Sequence, residues 1–138
     1  MRRLAAPTLL ALALLAWLGA CNGPPAPGDR GVCWKVDPAA KSRYAPLAKG
    51  VDSLEACAVL LEAMRLRGQA QSDGAYQGYF LFIGPDAMSS ALHVHGVRYP
   101  IFQPPQRRVL DREITRMMAE HGGRMPSPDE FSLEHSRP

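Results

Sequence analysis

The chain has 138 residues, of which 46% are hydrophobic and 21% charged, with a formal net charge of +3 and three cysteines. That balance excludes a polar disordered chain, a cysteine-dense scaffold and a strongly basic nucleic-acid binder, and the length suits one small domain. No internal repeat is visible.

Arg2 and Arg3 head an apolar stretch over residues 8–18, which follows Pro7 and runs into Leu18-Gly19-Ala20-Cys21. A cationic head, a short apolar core and small residues before the cut are the layout of an export signal. The cysteine directly after Leu-Gly-Ala resembles the lipobox of bacterial lipoprotein precursors. The resemblance covers residues 1–22. It implies a signal peptide over 1–20 that is removed, leaving Cys21 as the lipidated (palmitate-bearing) first residue of a mature protein. The mature chain would then sit in the bacterial cell envelope, held to a membrane through the lipid on Cys21 and facing the periplasm. Asn22 in place of Asp favours the outer membrane over the inner. Two alternatives stay open: plain secretion, and an uncleaved anchor, for which 4–20 is slightly shorter than the ~20 residues of a spanning helix. The whole chain has 16 Lys+Arg against 13 Asp+Glu, and loss of Arg2 and Arg3 leaves 14 against 13. The mature protein is therefore close to neutral, and no nucleic-acid partner is expected. Cys33 and Cys57 remain as a pair, which in an oxidising compartment reads as a disulfide, with two buried thiols as the alternative.

Residues 21–30 are rich in Pro and Gly and read as an extended tether below the lipidated cysteine. Residues 31–36 have strand character, with Val32, Trp34 and Val36 on one face and Cys33 and Lys35 on the other. A second extended piece falls within 44–51, interrupted by Pro46. Residues 52–67 form the clearest helix, with Asp52 as N-cap, Glu55 completing a capping box, and Leu54, Cys57, Ala58, Leu61 and Met64 as the buried face. Gly68 ends it. Residues 75–83 read as one strand, apolar on both faces and covered on both. A hairpin follows over 91–94 and 97–102, turning at His95-Gly96, so that His93 opposes Arg98 and Leu92 opposes Tyr99. After Pro104-Pro105 comes an amphipathic helix over 106–121, stopped by Gly122-Gly123. The expected fold is α+β: an antiparallel sheet of about four strands with two helices packed on it, over 31–121, and a flexible tail over 122–138 in which Phe131 and Leu133 are the only anchors.

Few residues carry chemistry. His93 and His95 could share a metal on one continuous strand, but a turn at His95 separates them and no acid or thiol nearby completes a ligand set. Ser89-Ser90 lacks a nucleophile elbow. Glu55 and Glu62 stand two helical turns apart, yet capping explains the first and solvent exposure the second. Tyr76, Tyr79, Phe80 and Phe82 read as core packing. Arg107, Arg108, Arg112 and Arg116, interleaved with Asp111, Glu113 and Glu120, read as a solvated helix face. Neither a catalytic set nor a cofactor motif is visible, so no enzyme activity and no cofactor are expected. The surface candidates for a contact are Arg98, Tyr99 and Phe102 on the hairpin and Arg108 and Arg112 on the last helix.

Residues 54–68, a Leu/Ala-rich helix, and 79–85, a strand ending in Gly84-Pro85, are similar to SPOR-type peptidoglycan-binding modules. That resemblance spans about a quarter of the chain and implies cell-wall binding. The expectation from the whole sequence is a membrane-tethered envelope lipoprotein acting as a non-enzymatic structural or interaction module with an envelope protein partner. A module binding peptidoglycan or a small ligand is the alternative.

Overall fold

Short runs of β-branched and aromatic residues, broken by turns, build one six-stranded antiparallel sheet with strand order β2-β1-β3-β4-β5-β6. The computed structural model describes residues 23–68 and 71–124; residues 1–22, on which the signal-peptide and Cys21 expectations fall, and residues 125–138, with Phe131 and Leu133, lie outside them. The strands are β1 (Val32–Val36), β2 (Tyr44–Lys49), β3 (Gly74–Tyr76), β4 (Tyr79–Ile83), β5 (Met88–Ala91) and β6 (Tyr99–Pro100). The helices are α1 (Leu54–Leu66), inserted between β2 and β3, and α2 (Pro104–Glu120). The α+β class holds, with six strands in place of about four.

β1 pairs with β2 on one side and β3 on the other, so α1 carries the chain from the sheet edge past β1. Pro46 is tolerated because β2 is an edge strand, and a bulge between Cys33 and Trp34 absorbs its register. The run 75–83 is not one strand. It folds at Gln77-Gly78, whose φ values of 46° and 85° make a two-residue hairpin turn pairing Tyr76 with Tyr79. The later hairpin also differs in register. Ser90 pairs with Tyr99 and Ser89 with Pro100, so a wide loop replaces the tight turn at His95-Gly96.

Cys33 alternates onto the α1 side of the sheet, where it joins Cys57, Ala58, Leu60, Leu61, Tyr76, Leu81, Ile83 and Met88 in the main core. The Cys33–Cys57 disulfide ties β1 to α1 there, with 5.3 Å between the Cα atoms. Tyr76 donates its hydroxyl to the Val51 carbonyl at 2.6 Å, closing the core next to the start of α1. The N-cap of α1 is Ser53, whose hydroxyl accepts from the Ala56 N–H at 3.1 Å; Asp52, the expected cap, stands one residue too early. α2 starts at Pro104, two residues earlier than expected, because proline at the first helical positions gives up only N–H groups that need no helical partner. It lies mainly along α1, where Ile114 and Met118 pack with Ala63 and the half-buried Val59, Leu66 and Leu110.

Candidate functional site

With the helices confined to one face of the sheet, the opposite face is left to short segments. Ala75 and Phe80 are buried there with Ala26, and Trp34, Tyr44, Phe82 and Val94 are packed half-buried around them. The proline-rich segment therefore does not hang free over its whole length. Ala26 is 7% exposed, and the Pro27 carbonyl accepts from the Gly78 N–H at 2.8 Å. Between this segment, the sheet and the loop carrying Val94 lies a groove of about 340 Å³, walled by Pro24, Pro25, Tyr44, Phe80, Phe82 and Val94. Arg43, held at φ 66°, and Tyr44 stand on its rim. Burial pushes the Tyr44 hydroxyl pKa up. Asp73, also at the groove, is occupied within the fold: it accepts from the Ile83 N–H at 3.1 Å and from the Gln71 side chain at 2.7 Å.

The wide loop between β5 and β6 forms a second surface. Leu92, Val97 and Tyr99 are 57%, 71% and 61% exposed and, with Tyr79 and Val109, make up the exposed large hydrophobics among the described residues. The Arg98 guanidinium lies over the Phe82 ring at 3.7 Å from its centre, which ties the base of the loop to the open face of the sheet. Arg98 and half-buried Phe102 both line a recess of about 350 Å³ at the start of α2. Of the five expected contact residues, the fold thus brings Arg98 and Phe102 together and places Tyr99 beside them on β6. Arg108 and Arg112 are exposed on α2. His93 and His95 are exposed in the loop, and no cluster of three or more His, Cys, Asp or Glu suited to a metal occurs among the described residues. Ser89 and Ser90 lie on β5 and are largely buried.

The sequence reading missed the most concentrated charge in the molecule. Glu62 is not solvated: it is fully buried, and Arg107 of α2 is 6% exposed. Arg65 grips both Glu62 oxygens, Nε to Oε2 at 2.8 Å and Nη2 to Oε1 at 2.7 Å, while Arg107 Nη2 donates to Oε1 at 2.9 Å. Arg107 also donates to the Gly84 carbonyl at the end of β4, and its Nε lies 3.8 Å from Asp111 Oδ2. Burial alone would raise the Glu62 pKa, but hydrogen bonds from Arg65 and Arg107 bring it below its ordinary value. Burial, and then the hydrogen bond and charge of Glu62, push Asp111 up to about 6. This network pins α2 to α1 and to the sheet. Glu62 is held by two arginines, while Asp111 meets Arg107 at longer range and keeps one buried oxygen without a hydrogen-bond partner. A sequence signal existed: Glu62 follows the buried Ala58 by four residues, at the edge of the apolar stripe of α1, with Arg65 three residues on to pair with it.

Comparison with protein-family models, with curated proteins and with solved structures finds no match for this chain.

Proposed function

We propose that this protein is a bacterial envelope lipoprotein, anchored through acylated Cys21 and facing the periplasm, whose domain is a non-enzymatic interaction module for an envelope protein. The observation that carries the contact surface is the exposure of Leu92, Val97 and Tyr99 on one loop-and-strand unit beside Arg98. Three large apolar side chains this exposed within eight residues favour a surface that is covered in the working state, with Tyr99 suited to anchoring it. Anchoring at the membrane raises the local concentration, so a weak contact suffices. The test is crosslinking in intact cells, followed by recovery of the full-length protein from membranes. A discrete crosslinked partner should be lost with Leu92→Ser combined with Val97→Ser and kept with Arg112→Ala. No discrete partner, or a partner indifferent to the loop changes, would overturn the assignment of this surface.

A second reading, a module for peptidoglycan or a small ligand, draws on the aromatic groove walled by Tyr44, Phe80 and Phe82. Co-sedimentation of the protein with isolated cell wall, lost on Tyr44→Ala, would favour it.

A further inference from the structure

We infer that the open face of the sheet, with the groove at Tyr44, Phe80 and Phe82, is the surface that the domain turns toward the lipid bilayer. This rests on the reading of Cys21 as the lipid-bearing residue. The chain between anchor and fold is short. Pro24 and Pro25 already wall the groove, and Ala26 is buried on the sheet. Cys21 precedes Gly23 by two residues, a span of at most about 7 Å. Such a link cannot carry the anchor around to the helical side. The acyl groups therefore enter the membrane next to the groove, and α1 and α2 lie on the far side of the sheet.

The chemistry of the face fits that placement. Tyr44 is half-buried on it at the groove, and a ring with a polar edge settles at the headgroup level of a membrane; Trp34 is half-buried on the same face with its indole nitrogen buried, so it adds apolar ring surface. Arg43 and Arg98 are both exposed, one on the groove rim and one stacked on Phe82, where cations meet anionic headgroups. Asp73, the acid in the groove wall, is spent on the backbone of Ile83 and on Gln71. The apolar walls give lipid a surface to cover. Among the described residues no helix is long and apolar enough to cross a membrane.

The sequence supplies its own reporter. The chain has two tryptophans, Trp17 and Trp34, and removal of residues 1–20 leaves Trp34 alone, on the face in question. The experiment uses the full-length processed protein reconstituted into phosphatidylethanolamine–phosphatidylglycerol vesicles with brominated acyl chains. Trp34 emission should fall about twofold or more relative to unbrominated vesicles. A Val109→Trp change made with Trp34→Phe places the reporter on the exposed side of α2, and its emission should hardly change. In the otherwise wild-type chain, Arg43→Glu with Arg98→Glu should weaken Trp34 quenching. Equal quenching at the two sites, or stronger quenching at the α2 site, in protein that still floats with vesicles would overturn the orientation alone. Protein that neither floats nor incorporates fatty acid would overturn the lipoprotein reading and the orientation with it.

Discussion

Gly74 opens β3 directly beneath Leu61 of α1. A Cβ there would run into the Trp34 carbonyl oxygen and lie 2.6 Å from Leu61 Cδ1. The requirement is close approach of a strand to a neighbouring strand and helix, not an unusual φ. Gly74→Ala should therefore cost about 2–4 kcal/mol, seen as a lower denaturation midpoint, whereas Gly28→Ala, in open space, should change little. Asp111 gives a pH signature. Its carboxyl, raised to about 6 from an ordinary 3.8, holds its proton more tightly folded than unfolded. Its contribution to stability is fully present below 3.8 and is lost as pH rises through about 6. Glu62, lowered from 4.5, runs the other way: its contribution is present above 4.5 and is lost as pH falls through its depressed folded value. Between pH 4.5 and 7 Asp111 sets the slope, and melting temperature should decline as pH rises. Asp111→Asn should flatten that decline and, with 30% of the side chain open to solvent screening, gain about 1 kcal/mol at neutral pH. An unchanged slope in the variant would assign the pH dependence elsewhere.

At the scale of elements, the disulfide replaces part of the burial that a domain this small cannot supply. It joins β1 to α1 across 24 residues of chain that include all of β2. Loop-closure entropy puts its contribution on the order of 3 kcal/mol. Cys33→Ala with Cys57→Ala should lower stability by about that amount, measured by chemical denaturation, and the native cysteines should stay unreactive to alkylating reagents until reduced. The same elements show where sequence reading succeeds and where it ends. The α1 stripe and the pairing of Cys33 with Cys57 were legible because helical spacing turns Cys57 inward and only two thiols remained once Cys21 was set aside. The turn at Gln77-Gly78 was not, because Gln is not a usual left-handed residue and the tyrosines on both sides continue the apolar run. The β5–β6 register was misread for a related reason. His95-Gly96 is an acceptable tight turn locally, and only pairing of β5 with β4, Ile83 opposite Met88, moves that strand toward its start. In the sequence Arg107 is indistinguishable from its neighbouring arginines, because charge pattern along one helix carries no information about a buried acid on another. The groove was beyond reach for the same reason, since Pro24 and Phe82 meet only after the sheet has formed.

For the whole molecule, the consequence is a division of labour between two surfaces and one anchor. In the proposed arrangement the side of the sheet that receives the N-terminal segment faces the membrane and the loop bearing Leu92, Val97 and Tyr99 meets the partner, while the Glu62–Arg107 network holds α2 to α1 and to the end of β4. Ala26 and Pro27 are bound to the sheet, so under the proposed anchor the proline-rich run would act as a short strap more than as a long tether. A strap restricts orientation as well as distance, and that raises effective concentration further for a partner met in the right pose. This separates anchoring from recognition. Cys21→Ser should abolish fatty-acid labelling and move the protein from membranes to the soluble fraction. It should also lower crosslinking to the partner about tenfold or more, because the encounter becomes bimolecular. Its melting curve should match that of the wild type, and the purified variant should still bind the partner when both are concentrated. Leu92→Ser with Val97→Ser should instead keep the lipid and the membrane location and lose the partner at every concentration. If Cys21→Ser leaves the crosslinking yield unchanged, recognition does not depend on confinement at the membrane, and the loop alone accounts for the affinity.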